Sequence, residues 1–439
     1  MRPSLSYLFA VFLIASSAWA QDRPTKVRND KARVEADGFW IYNDLPRGVA
    51  EAEKSRKPML VVFRCIPCEA CAQLDERVVE RDPKIQELLT QFVCVRIVQA
   101  NAMDLSLFQF DYDQSWAAFF LNADMTIYGR YGTRSHQTES DRDVSLEGFA
   151  KSLAAALDLH REYPKNKEHL STKRGPAADV KVPEEFPNLR GKYKSKLDYE
   201  GQVVQSCIHC HQVGESLRLA HRAAGKPIPD RVLFPYPNPK AIGLVMDPKE
   251  KATVASVSGD SPAARSGFRA GDEILALNLQ PIVSIADVQW VLHNAGESEA
   301  FVATVGRSGK TILFKLALEK GWRQRDDISW RATSWDLRRM TTGGLLLEEL
   351  PDADRGKAGL AESALALRVK HVGEYGAHAT AKQAGFKKDD IVISVDDRAD
   401  RITESSLMAF LVNEKKSGDR VRVTVLRGGE KINLVLPMQ

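Results

Sequence analysis

A chain of 439 residues with 44% hydrophobic and 27% charged side chains has an ordinary globular composition and length for about two to four domains. The net charge of +4 is spread along the chain, so neither its sign nor its distribution points to nucleic acid. Six cysteines are too few for a disulfide scaffold. They cluster as Cys65, Cys68, Cys71 and Cys94, then Cys207 and Cys210.

In chain order, the N-terminus comes first. Arg2 supplies a positive charge, Leu5 to Ala15 is mostly apolar, and Ala18-Trp19-Ala20 forms a small-x-small site before Gln21. This predicts a secretory signal peptide over residues 1–20, with an uncleaved anchor as the alternative. No later stretch approaches the ~20 apolar residues of a membrane span. The expectation is a periplasmic or secreted protein with no membrane span after signal cleavage. In that oxidising setting, clustered C-x-x-C pairs point to redox centres or cofactor anchors.

Residues 37–160 read as α/β. "PMLVVFR" (58–64), "FVCVRIV" (92–98) and "AAFFLN" (117–122) are compact apolar runs suited to buried strands. "LEGFAKSLAAALDLH" (146–160) has the period of an amphipathic helix. Residues 161–185 turn polar and Pro-rich without periodicity and read as a linker. Cys94, inside an apolar run, reads as a core residue.

"QSCIHCHQV" then places Cys207, Cys210 and His211 in the spacing C-x-x-C-H. Two thiols and an imidazole in that order suit one covalent haem c, with thioethers at Cys207 and Cys210 and His211 on the iron. A structural zinc site needs further ligands, and a disulfide beside an idle histidine is the bland alternative. For a haem, His221 is the nearer candidate for the sixth position, while Met246 suits a pocket. The segment spans 186–240 and is expected to be small and mostly helical.

The C-terminal half repeats itself. "SPAARSGFRAGDEILAL" (261–277) and "ATAKQAGFKKDDIVISV" (379–395) align at Ala263/Ala381, Gly267/Gly385, Phe268/Phe386 and Asp272/Asp390. Each is followed by a short helical segment and a β-rich run, so two similar small domains are expected, over 241–320 and 321–439.

These blocks resemble the PDZ domain, an α+β, partly open barrel. The resemblance implies that Gly243, Leu244, Val245 and Met246, and in the second copy Gly344, Leu345 and Leu346, receive the C-termini of protein or peptide partners. Acidic residues after the second loop (Glu348, Glu349, Asp352, Asp354) are expected to repel a carboxylate. Asp389 replaces Gly271 at a turn it can still adopt. Two PDZ folds acting only as spacers are the alternative. No serine-protease context accompanies them.

"VVFRCIPCEACAQLDERVV", a strand running through C-x-x-C into a helix, resembles exported thioredoxin-like domains. That implies Cys68 as nucleophile and Cys71 as resolving partner, and a helix N-terminus favours the Cys68 thiolate. Cys65 adds a competing Cys65-Ile66-Pro67-Cys68 pair. Where thioredoxins carry a cis-proline, this chain has Ser115-Trp116. A non-proline cis bond costs about 3 kcal/mol, so a trans bond is expected there, and the missing proline removes part of the substrate-docking edge that general disulfide reductase activity uses.

The whole resembles the exported thioredoxin-like/PDZ (seleno)proteins of environmental bacteria. The fold expected is an α/β thioredoxin-like domain (37–160), a haem-c segment and two PDZ domains. The function expected is thiol–disulfide or electron-transfer chemistry with a redox partner, directed to protein C-termini. An envelope adaptor with structural cysteines, and a copper- or zinc-handling protein using Cys65, Cys68 and Cys71, are the other classes.

Overall fold

The computed structural model describes residues 22–66, 82–114, 116–136 and 142–439. The expected signal peptide, Cys68, Cys71 and Ser115 lie outside the described residues.

The apolar runs form the centre of a five-stranded sheet in the order β1-β3-β2-β4-β5. The strands are β1 (Ile41–Tyr42), β2 (Met59–Arg64), β3 (Val93–Ile97), β4 (Trp116–Leu121) and β5 (Ile127–Tyr131). β1 and β2 run parallel to β3, whereas β4 is antiparallel to β2 and to β5. Helices α1 (Arg23–Asp37), α2 (Leu45–Ser55), α3 (Pro83–Leu89) and α4 (Leu146–Glu162) complete the unit. Alternate side chains of β2 enter opposite cores: Leu60 and Val62 meet Phe149 and Leu153 of α4, and Val61 and Phe63 meet the other face. Cys94 is buried in the first of these cores, as expected.

The second face is covered by chain from outside residues 37–160. Phe186, Leu189, Ile208 and Val213 belong to its core. The C-x-x-C-H segment, with helix α5 (Cys210–Ala223), is therefore part of the thioredoxin-like unit and not a separate body. Residues 161–185 likewise form a packed strap where a free linker was expected. Leu170 is buried in the α4 core, and the Lys173 side chain is fully buried. Composition hides this, because the strap is anchored largely through its backbone, at Thr172, Pro176, Ala178 and Lys181, and not by a periodic face.

The first repeat contains β6 (Leu244–Met246), β7 (Val254–Val257), β8 (Glu273–Leu277), β9 (Gln280–Pro281), helix α6 (Ile285–Asn294), β10 (Ala300–Arg307) and β11 (Lys310–Ala317). They form a β6-β7 pair and a sheet in the order β11-β10-β8-β9. The second repeat follows helix α7 (Ser334–Thr342). It joins β12 (Leu345–Glu349), β13 (Leu367–Val372), β14 (Ile391–Val395), β15 (Arg420–Arg427) and β16 (Glu430–Pro437) in one sheet, beside helix α8 (Glu404–Glu414). The matched Asp272 and Asp390 do the same work in each copy. Each accepts two hydrogen bonds from an arginine, Arg307 or Arg427, that also donates to the carbonyl of Gly267 or Gly385. Asp389 holds the positive φ of its counterpart Gly271, at 69° against 87°.

Helix α6 of the first repeat lies on β5 of the thioredoxin-like sheet. Gly129 permits this approach, since a Cβ there would sit 2.1 Å from Val283 Cγ2. At the contact Asp287 is fully buried, as is Lys173, whose Nζ is 2.7 Å from its carboxylate. The Arg130 guanidinium lies 3.9 Å from Asp287 and stacks 3.8 Å from the Trp290 ring centroid. A second buried knot joins Arg331 to Asp111 at 2.5 Å and to Asp113 at 3.6 Å. Burial lowers the Lys173 pKa, against the pull of Asp287. Asp287→Ala leaves that ammonium without its partner and is expected to destabilise the protein by about 3–5 kcal/mol. Lys173→Met with Asp287→Leu should recover only part of the loss, because the buried Arg130 still lacks its carboxylate. Urea unfolding midpoints of the two variants check this.

Candidate functional site

Cys65 follows β2 at its carboxyl end, the edge where ligands commonly gather in parallel α/β sheets. The chain leaving β3 at the same edge reaches Asn101, which is 4% exposed and organises the C-x-x-C-H turn. Its Nδ2 donates to the carbonyls of Lys194 (2.7 Å) and Ser206 (3.0 Å), and its Oδ1 accepts the Ile208 N–H at 2.7 Å. The Ala100 N–H donates to the Ile208 carbonyl at 2.8 Å. Both polar backbone groups of Ile208 are thereby satisfied inside the core, so the turn between the two cysteines is fixed.

Cys65, half-buried, has its Sγ 3.6 Å from His209 Nδ1, and its charge acts on both Cys207 and Cys210. Two parts of the chain more than a hundred residues apart thus form one sulfur and imidazole cluster. The His209 and His211 rings stack at 5.5 Å, 4° from parallel. Burial, then the neighbouring charge of His211, lowers the His209 pKa to about 4. Burial also lowers that of His211, although Asp113 opposes it. Both imidazoles are therefore neutral near pH 7, with lone pairs available. Burial pushes the Cys207 thiol up to about 12 and Cys210 higher still.

Cys207, Cys210 at the first position of α5 and the neutral imidazole of His211 beside it make up the donor set of a covalent haem, with Cys207 packed against one core and Cys210 against the other. Cys207, Cys210 and His211 would hold the group. His221 lies ten residues farther along α5, about 15 Å along the axis, and the structure does not bring it to His211. Met246 sits in β6, against the core of the first repeat. Among the described residues no three His, Cys, Asp or Glu side chains are arranged to hold a metal ion. Asn101 and His209 were not singled out from sequence. His209 stands inside the motif, while Asn101 carries no local signal.

The two PDZ loops differ. In the second copy, α7 packs against both α8 and β12, and the Gly344 N–H caps it by donating to the Arg338 carbonyl at 3.0 Å. Glu404, opening α8, accepts from Arg338 and from the Leu347 N–H at 2.7 Å. Leu345 is buried and Leu346 half-buried on the same strand. In the first copy Ile285 stands where Glu404 does and has no such acceptor. A short 3-10 turn (Pro239–Ile242) precedes Gly243 in place of a long helix. Leu244 is buried and Val245 and Met246 half-buried, across from Val288 and Val291. The acidic residues after β12 do not act as expected, because they are paired: Glu348 with Arg368 and Lys370, Glu349 and Asp352 with Arg401, and Asp354 with Lys357. At the second loop the Leu347 N–H is already bonded to the Glu404 carboxylate.

In reduced protein made without haem-attachment machinery, iodoacetamide near pH 7 should label Cys68 first. Cys94 and Cys210 should react at least about a hundredfold more slowly, since burial raises both thiols. Peptide mass spectrometry reads the order, and equal rates contradict it. In the full chain, Met246→Trp should weaken binding of free-carboxylate peptides about tenfold or more, whereas Leu346→Trp should leave it unchanged. Fluorescence titration decides, with amidated peptides as control.

Comparison with known proteins agrees with this architecture. A family described as thioredoxin-like matches residues 40–123, and the PDZ domain matches 240–318 and 374–437. A probable periplasmic serine endoprotease, DegP-like, of Marinomonas sp. is 26% identical over 192 residues, 44% of this chain and 38% of that protein. The periplasmic pH-dependent serine endoprotease DegQ of Escherichia coli is 25% identical over 191 residues, 44% and 37% of the two chains. The serine endoprotease DegS of Haemophilus influenzae is 32% identical over 72 residues, 16% and 21%. The chain thus spans well under half the length of these curated relatives. Among solved structures, the HtrA-type protease AlgW with a decapeptide aligns over 31% of this chain and 48% of that one, at 15% identity and a TM-score of 0.20. The chain is built from a thioredoxin-like domain followed by two PDZ domains.

Proposed function

We propose that this chain is an exported electron-transfer protein in which Cys207 and Cys210 anchor one haem, His211 is its proximal ligand, and the first PDZ copy recruits partners by their C-termini. The observation that carries the reading is the C-x-x-C-H turn, stapled by Asn101 to the carboxyl end of the thioredoxin-like sheet with its imidazole neutral. A haem so held supplies one-electron chemistry. Asn101 fixes the turn, and the stacked His209 restricts the His211 ring. The N-terminal sequence and the periplasmic names of the relatives support export to the periplasm, and among the described residues no helix is long and apolar enough to cross a membrane.

The recruitment geometry is supported by how the first groove ends. A peptide with its carboxylate at Gly243 runs along β6 toward Pro248 and the start of α6. Both rest on the thioredoxin-like domain, through Ser145 Oγ on the Pro248 carbonyl at 2.9 Å and Ser284 Oγ on the Arg130 carbonyl at 2.5 Å. The partner's upstream residues are thereby led toward the redox domain.

A second reading rests on the Cys65–His209 contact. Without haem, a thiolate of the cluster attacks a partner disulfide and releases one partner sulfur as thiolate. A second cysteine then resolves the mixed disulfide, so that two electrons and two protons pass to the partner. One measurement separates the two. The protein is expressed with haem-attachment machinery and denatured, and the peptide containing residues 207–211 is weighed. Retained haem mass is expected. Two free or disulfide-linked cysteines with no haem overturn the first reading.

A further inference from the structure

Cations flank the sulfur and imidazole cluster on two segments. Cys65, Cys207, His209 and His211 are each half-buried, so their edges reach solvent. The first basic segment is α1. Arg23 acts electrostatically on His209, and Arg28 donates to the Tyr199 and Gly201 carbonyls at 2.8 Å each. Lys31 Nζ lies 4.3 Å from the Tyr199 ring centroid, and Tyr199 is itself within electrostatic reach of Cys207.

The second segment is 190–196, which reads RGKYKSK. Its backbone is tied to the turn. The Lys194 carbonyl accepts from Asn101, the residue that also holds Ser206 and Ile208. The Ser195 carbonyl accepts from Gln99 at 3.3 Å, and the Tyr193 hydroxyl accepts from Gln212 on α5 at 3.2 Å. Tyr193 packs against the core, whereas Lys192, Lys194 and Lys196 are exposed. Among the described residues, none of these three lysines makes an ion pair.

The carboxylates nearby do not cancel this charge. Asp198 lies between Lys194 and Arg28 and accepts the Gly201 and Gln202 N–H groups at 3.0 Å. Asp22 caps α1, Glu35 lies 3.9 Å from Lys31, and Glu200 is exposed and offsets one cation. Exposed cations add little to stability, but they set up a positive field that draws anions to the site. An anionic lipid surface would also take that charge, yet it would seal the cluster from its reaction partner. A protein partner meets both needs, since electron or thiol exchange requires two reactive edges in contact.

We propose that this basic collar docks an acidic surface of the redox partner over the C-x-x-C-H turn, separately from peptide capture at Gly243. The partner's redox role rests on the reading above, in its haem or its thiol form. The collar's charge does not.

The test combines Lys192→Glu, Lys194→Glu and Lys196→Glu in the full chain. All three side chains are exposed, so an unfolding midpoint close to that of the triple Lys→Gln variant shows that the protein folds. Haem-loaded, reduced protein is oxidised in stopped flow by ferricyanide, an anion, and by tris(phenanthroline)cobalt(III), a cation. At low salt the Glu variant should react about tenfold or more slowly with the anion and faster with the cation, and both effects should shrink at high salt. Polyglutamate, as a probe of acidic surfaces, should slow ferricyanide oxidation of the wild type and not of the variant. If no haem is attached, the haem reading fails and the collar is still tested. Reduced Cys65 and Cys207 are then treated with anionic dithionitrobenzoate and neutral dithiodipyridine, and only the anionic reagent should discriminate against the variant. Rates indifferent to the three substitutions overturn the collar in either form. Phosphatidylglycerol vesicles that bind the wild type through these lysines, with polyglutamate leaving the rates unchanged, identify a lipid surface and also overturn it.

Discussion

A single buried carboxylate, Asp287, holds the domain arrangement. It sits on the first turn of α6 in the first PDZ copy, yet its partners belong elsewhere: Lys173 on the strap and Arg130 on β5. A buried charge is tolerable only when paired and hydrogen-bonded. The carboxylate therefore requires three segments to meet at one point. Gly129 lets them come close enough, and Trp290 covers the guanidinium. With the Arg331 knot on Asp111 and Asp113, this fixes the first PDZ copy and the inter-repeat segment against the thioredoxin-like sheet.

The consequence reaches the sulfur cluster. Arg331 and Thr333 grip both aspartates of Asp111-Tyr112-Asp113, and Tyr112 and Asp113 face the C-x-x-C-H turn. The environment of Cys210 and His211 is thus set partly by residues more than a hundred positions downstream. The same docking uses the outer face of α6, leaving its Val288 and Val291 side toward β6. In the second copy the corresponding helix is covered by α7 and its first residue bonds the strand edge. The two copies therefore differ at the strand edge beside this helix, where, among the described residues, only the second has a carboxylate bonded to a strand N–H.

Much of this was legible in the sequence. Apolar runs at 58–64, 92–98 and 117–122 marked the central strands because a strand buried on both faces must be apolar throughout. The repeat marked two PDZ domains because their turns demand Gly267/Gly385 and Gly271/Asp389 at positive φ. What lay within a few residues of its partner was visible.

What the sequence could not decide was which distant segments meet. Residues 161–185 had the composition of a tether, but Leu170, Lys173 and several backbone hydrogen bonds bind them down. The segment 186–240 looked self-contained, although Phe186, Ile208 and Val213 complete the core of a sheet begun at residue 41. Cys65 and His209 carry no sign of each other along the chain, nor does Glu404 of the Leu347 amide it occupies. Such contacts depend on tertiary packing, which brings together groups of opposite charge or matching hydrogen-bond capacity regardless of their separation. Local pattern encodes elements and motifs through spacing on a turn or strand, whereas the site joining them is written only in three dimensions.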